Sequence, residues 1–434
     1  MKYYIIWFLI FFTSFEGFGL RSPSWGGLGS SSLGWYGILQ LSVLVLSLVF
    51  PFLLKSKFYF NNNQKMGVPA ALIYMLLLFI VIQSLVMALF SGSLSLSDLF
   101  SNLVKFKFIL LYFIFIYLLS RPEGLKIAIR SILICSLISA IILFFIIMTG
   151  FQSYVVQVMT SESVGREFRV ILPSAMLITF GFYYIFSKAK YIRNWSSLII
   201  GLIFFMAMLS QMHRSVLVSI VLVTFFSFYK LYQIKIKSIF PLLILLGIFY
   251  FGINLAFDQI GYSFENLFKT FVETKKEVGD TTGNFAVRLF LPVKSFLYVL
   301  NNYYLIGVGL NWEPITDIIS YITLDKYFAT PTYDSGYNNI IVIYGILGIA
   351  IYLFLFYRLF KTIGFIIKNS KQINYIITAY AAMFTLIFLM LTGTSSDSYI
   401  LQPAAVIFTF IIALVYNLET KILREINEEN NFTA

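Results

Sequence analysis

Residues 127–149, IAIRSILICSLISAIILFFIIMT, decide the fold. The run carries one charge, Arg130, near its start. As an α-helix rising about 1.5 Å per residue, it is long enough to cross the roughly 30 Å apolar core of a bilayer. Runs of the same kind recur along the whole chain, near 3–20, 33–54, 68–91, 103–120, 168–187, 195–211, 214–230, 239–257, 336–357, 373–392 and 400–417. Composition agrees: 59% of the 434 residues are hydrophobic and 12% charged, where a soluble domain carries about a quarter charged residues. No stretch reads as a soluble domain of ordinary size. The expectation is an all-α integral membrane protein, a single polytopic domain over 1–434 with about 12 transmembrane helices.

A net charge of +12 could indicate nucleic acid. The positions of the cations argue against that partner, because most of them sit in short segments between spans, where they set topology. With both termini placed in the cytoplasm, the cytoplasmic segments hold Lys2, then Lys55, Lys57 and Lys65, then Arg121, Lys126 and Arg130. Lys188, Lys190, Arg193, Lys230, Lys235, Lys237, Arg358, Lys361, Lys368, Lys371, Lys421 and Arg424 follow. These are 19 of the 31 basic residues, and the short loops of the other side are poor in them, so the termini are read as cytoplasmic. The N-terminal run from Tyr3 to Phe15 lacks a good cleavage site after it and is read as an uncleaved first span.

Cys135, the single cysteine, falls mid-run and reads as a small buried or lipid-facing residue. His213, the single histidine, excludes a His-rich metal site. Two external segments stand out, at 150–168 and at 258–335. In the longer one, apolar residues repeat at helical spacing from Phe285 to Leu300 around Arg288 and Lys294, the pattern of an amphipathic helix at the interface. Asp280-Thr281-Thr282-Gly283 supplies a start signal for it.

Charges at the outer edge of spans are the informative ones, because burying them is costly. Arg166, Arg169, Arg214 and Arg288 collect on the external side with Lys294. Guanidinium groups donate paired hydrogen bonds to phosphate oxygens and remain charged at any working pH, which suits an anionic lipid-linked group. Each has a plainer reading: solvated loop charges for Arg166 and Arg169, snorkelling for Arg288, a tight polar turn for Ser210–Ser215 around His213-Arg214. Further on come Gly307-Val308-Gly309, then Tyr333-Asp334-Ser335-Gly336-Tyr337, then Tyr344-Gly345-Ile346-Leu347-Gly348. Asp334 is either a helix cap or a carboxylate able to accept a proton from a sugar hydroxyl, and the plain alternative for the glycines is close helix packing.

In this order the motifs resemble the bacterial O-antigen and capsule polymerases (Wzy-type) and their relatives, the O-antigen ligases. Four features carry the likeness: the Arg166/Arg169 pair, His213-Arg214-Ser215, Arg288 leading to Gly307-Val308-Gly309, and Asp334–Tyr337 leading to Gly345–Gly348. The resemblance implies a GT-C-like fold in the bacterial cytoplasmic membrane with its active face external or periplasmic. It implies a polymerase that joins undecaprenyl-pyrophosphate-linked oligosaccharide repeat units, with no cofactor and no metal. Its partners would be those lipid-linked glycans, the bilayer and a chain-length regulator. Arg288 and Arg214 would bind the pyrophosphate, Asp334 would be the base, and Arg166, Arg169, Lys294, Tyr333 and Tyr337 would contact substrate. The ligases carry a histidine near the position of Asp334 and this chain has none there, which favours polymerase over ligase. A lipid-linked oligosaccharide flippase is the competing class, but it would place charges through the depth of the membrane.

Overall fold

The computed structural model describes residues 4, 6, 7, 10, 11, 73, 75, 78, 79, 81–83, 85, 86, 107–121, 123–149, 175–192, 195–209, 214–233, 297, 300, 301, 306, 307, 336–392 and 405–433. Among the described residues there is helix and no strand. The continuous helices among the described residues are α1 (Lys107–Ser120), α2 (Gly124–Thr149), α3 (Ala175–Tyr191), α4 (Trp195–Leu209), α5 (Arg214–Tyr232), α6 (Gly336–Asn369), α7 (Ile373–Thr392) and α8 (Ala405–Thr433). The described positions at 4–11, 73–86 and 297–301 are helical as well. The expected spans 33–54 and 239–257, and the loop 150–168, lie outside the described residues.

Among the described residues, four segments are long and apolar enough to cross a membrane: Gly124–Phe145, Tyr344–Asn369, Ile373–Thr392 and Val406–Asn431. Leu111–Ser120, Trp195–Leu209 and Val218–Tyr232 are shorter apolar helices. Their outward faces carry large apolar side chains. Leu198, Ile199 and Leu202 of α4, and Val218, Val221 and Leu222 of α5, stand exposed at helical spacing. In water such stripes would drive association; against lipid tails they cost nothing. Trp195, 82% exposed at the start of α4, has the amphipathic ring found at membrane–water interfaces.

Two expected boundaries are corrected. The span expected at 336–357 belongs to a 34-residue helix that continues through Arg358, Lys361 and Lys368 to Asn369. The span expected at 400–417 belongs to a 29-residue helix reaching Thr433. At 1.5 Å per residue these are about 51 and 44 Å long, against roughly 30 Å of hydrocarbon. Charge on one side of a helix does not end it, so a hydropathy run marks the apolar length and not the helix. α6 is also not straight: Gly345, at φ 62° and ψ −159°, breaks it nine residues in.

Aromatic packing holds the bundle. Trp7 stacks on Phe11 and on Phe115 of α1, with ring centroids 5.4 Å apart in each pair. Phe410 of α8 meets Trp7, Phe11, Phe115 and Phe180 edge-on at 5.5–5.7 Å. The ring quadrupoles favour this edge-to-face geometry. One α8 side chain thus joins the N-terminal segment, α1 and α3. Around it α3 packs on α2, α4 and α7, and α6 packs on α7 and α8. Gly181 lets α2 and α4 approach α3 closely, since a Cβ there would lie 2.8 Å from Ser136 Oγ and 2.9 Å from the Phe204 ring. Ser136 Oγ in turn donates to the Leu177 carbonyl across that contact at 2.7 Å. Cys135 is buried, as expected of a small residue mid-run.

Phe410→Ala is expected to lower the unfolding midpoint of the purified protein in detergent. The loss should be about 2 kcal/mol, because only the cavity term applies when no ring is being withdrawn from water. An unchanged midpoint would show that the four-ring contact is not a keystone.

Candidate functional site

Contacts between helix ends sort the bundle into two ends. Lys371 in the turn after α6 pairs with Glu429 of α8 at 2.5 Å, and Gln372 donates to Glu425 at 2.7 Å. Lys421 Nζ, one turn or so earlier on α8, donates to the Leu119 carbonyl at the close of α1 at 3.4 Å. Arg130, at the start of α2, donates to the Tyr4 hydroxyl at 3.2 Å. On the other side of the bundle Phe186, near the end of α3, packs on Phe228 and Tyr232 at the end of α5. Tyr183 of α3 packs on Phe384 of α7, one turn beyond Tyr380. The turns rich in Lys and Arg therefore share one end.

Arg214 and Tyr337 occupy the other. Arg214 is the first residue of α5, whose far end carries Lys230. Tyr337 is the second residue of α6, whose far end carries Lys368. Both helices pack on α7, which links them. The break expected around Ser210–Ser215 falls between Leu209, the last residue of α4, and Arg214. Opening a helix, Arg214 stands where unsatisfied backbone N–H groups and the positive end of the macrodipole also favour an anion. Arg166, Arg169, Arg288, Lys294, Tyr333 and Asp334 lie outside the described residues, as do His213 and Asp280–Gly283.

The two glycine motifs owe their glycines to backbone geometry. Gly307 and Gly345 have φ of 69° and 62°, and each is the first glycine of its motif. Only glycine enters such conformations without strain. Gly348 lies beside the same break: a Cβ there would sit 2.0 Å from the Cβ of Tyr344, the residue before the kink at Gly345. The atoms nearest to a Cβ at Gly348 all belong to Tyr344 of the same helix. Tyr344 is buried and its ring meets that of Tyr352 with centroids 6.2 Å apart. The break thus separates residues 336–344, about two and a half turns with Tyr337 among them, from the long span that follows.

One polar residue was missed by sequence reasoning. Gln83, only 2% exposed, lies among the helical positions of the apolar run 68–91. Its Nε2 donates to the carbonyl of Ile306, 223 residues away in sequence. Ile306 is in a turn and Gly307 is buried, so this part of the 258–335 segment docks on a helix rather than looping free. A lone carboxamide inside an apolar run was the signal that could have revealed it.

No protein-family model matches the chain, and no curated protein matches its sequence. The chain is a helical membrane protein with a positive-φ glycine in each of two motifs, and its basic helix turns gather at one end.

Proposed function

We propose that the protein is a polysaccharide polymerase of the bacterial cytoplasmic membrane, joining undecaprenyl-pyrophosphate-linked oligosaccharide repeat units on its external face. The full chain would have about twelve spans in a GT-C-like arrangement with both termini cytoplasmic. The observation that carries this reading is the ordered set of arginine and glycine motifs, with Arg214 opening α5 at the end away from the basic turns. Positive-inside topology makes that end external.

In the proposed reaction, a hydroxyl oxygen of the acceptor's terminal sugar attacks the anomeric carbon of the donor glycan. The bond from that carbon to the pyrophosphate oxygen breaks, and its electron pair leaves with the pyrophosphate. Asp334 takes the hydroxyl proton. Arg288 and Arg214 hold the pyrophosphate as its charge grows, which is where preorganised donors act most strongly. Arg166, Arg169, Lys294, Tyr333 and Tyr337 position the two lipid-linked substrates. No cofactor is required, and a chain-length regulator would act as a partner.

The test is the glycan profile of a strain lacking the protein. Single repeat units with no long-chain ladder are expected, together with repeat units held on the lipid carrier outside the membrane. Full-length polymer stranded on its carrier would replace this reading with a ligase. Repeat units trapped on the cytoplasmic face would replace it with a flippase.

A further inference from the structure

We propose that the outward face of α2 binds one anionic glycerophospholipid of the leaflet at the basic end. Arg130 and Lys126 hold its headgroup, and an acyl chain lies along Ile134 and Ile141. The site stands apart from the polymerase reading.

The exposed positions of α2 are sorted by chemistry. Lys126, Arg130, Ile134 and Ile141 are exposed, at spacings of four, four and seven residues that keep them on one face. Ile132, Ser136 and Leu143 turn the other way and are buried. Arg130 is the last charge on the helix, which runs uncharged from there to Thr149. That stretch is about 28 Å long, close to the roughly 30 Å of hydrocarbon in a bilayer. Arg130 therefore stands at the level of the lipid phosphates. Ile141 lies about 16 Å further along the axis, about half the hydrocarbon thickness, so one leaflet's acyl chain spans the apolar part of the face.

The electrostatics at Arg130 call for an anion. Its Nη1 donates to the Tyr4 hydroxyl at 3.2 Å, which ties the guanidinium to the N-terminal segment. Tyr4 is a neutral partner, and among the described residues no carboxylate pairs with Arg130. A guanidinium has five N–H donors, so most of its donors and all of its charge remain for a phosphate, whose oxygens match its planar fork. Lys126 lies one turn outward. Its ammonium is 3.4 Å from Glu123, but both groups are exposed and such a pair holds weakly. Arg121 is turned away, with its guanidinium 4.4 Å over the Tyr117 ring of α1. The helix opens at this end, so its macrodipole adds positive potential. A zwitterionic lipid offers the same phosphate but brings its own ammonium, which the two cations repel. A headgroup of net negative charge brings none.

The experiment is native mass spectrometry of the full chain in detergent with phosphatidylglycerol or phosphatidylcholine of the same acyl chains. The protein is expected to keep one phosphatidylglycerol more firmly than phosphatidylcholine. Arg130→Gln is expected to weaken that binding about tenfold or more, the scale of one hydrogen bond to a charged group. Arg130→Lys, which keeps the charge and loses the fork, is expected to recover part of it. Lys190→Gln is the control, since Lys190 is an exposed cation at the end of α3, whose Phe182, Ile185 and Ser187 are buried.

Equal retention of the two lipids, unchanged binding in Arg130→Gln, or an equal loss in Lys190→Gln would each overturn the site. If Arg130→Gln fails to accumulate, the unfolding midpoint decides. Phosphatidylglycerol is expected to raise it by mass action in the unaltered protein and to raise it less in Tyr4→Phe, where the guanidinium is untethered. A midpoint that phosphatidylglycerol leaves where phosphatidylcholine does would overturn the site as well.

Discussion

Alanine at Arg288 or at Arg214 is expected to abolish the long-chain ladder while the protein still inserts at its normal level. The effect should be large because, in the proposed reaction, the two guanidinium groups bind the pyrophosphate whose charge grows as the glycosidic bond breaks. Removing one preorganised donor from such a site costs about 10²- to 10³-fold in rate. In the proposed site Arg214 would act with help from its position, since it opens α5 at the positive end of the helix. Arg→Lys is the sharper probe at both sites. It keeps the charge and loses the planar fork, so a bidentate contact predicts a loss close to that of alanine, and a mere electrostatic field predicts near-normal polymer. Lys361→Ala is the control, since Lys361 is exposed on α6 beyond the break and toward the basic end. Glycan ladders and membrane abundance measured on the same cultures decide the matter. Full-length glycan from both alanine variants would remove the pyrophosphate assignment.

How much of this was legible in the sequence depended on what each residue pattern measures. Apolar runs measure the length of chain that lipid can surround, and α7 was read to the residue because its ends coincide with its apolar limits. α6 and α8 outrun their apolar limits, since Lys361 lies exposed on α6 while Leu359 and Ile363 beside it are buried. A helix with one wet side and one dry side continues regardless of hydropathy, as Glu425 and Glu429 on α8 also show by pairing with the turn after α6. The glycine motifs were visible, but a spacing of glycines does not say whether the backbone bends or a neighbour approaches. Here Gly345 bends and Gly348 lies against Tyr344, whereas Gly181 and Gly201, in no noted motif, admit neighbouring helices. Gln83 was hidden by averaging, because one amide among apolar residues barely moves the mean of a run.

The bend at Gly345 leads to the second large effect. Gly345→Ala is expected to destabilise the protein by about 1–3 kcal/mol, the cost of holding a side chain in a conformation that is essentially glycine's own. Gly348→Ala is expected to destabilise too, for a different reason: its Cβ would lie 2.0 Å from that of Tyr344, so the backbone must move. The relief open to both variants is to straighten α6 into one continuous helix. That would swing the segment 336–344, with Tyr337, off its present axis and disturb the site proposed beside it. Gly364→Ala provides the comparison within the same helix, where the added Cβ meets nothing within 4 Å. There alanine is expected to be neutral or to stabilise by up to about 1 kcal/mol through helix propensity alone. Unfolding midpoints of the three purified variants in detergent test the geometry, and glycan ladders of the same variants test its consequence. Equal midpoints for Gly345→Ala and Gly364→Ala would mean that the break is not required for the fold. A lowered midpoint with a normal ladder would mean that the break serves stability and leaves the chemistry alone.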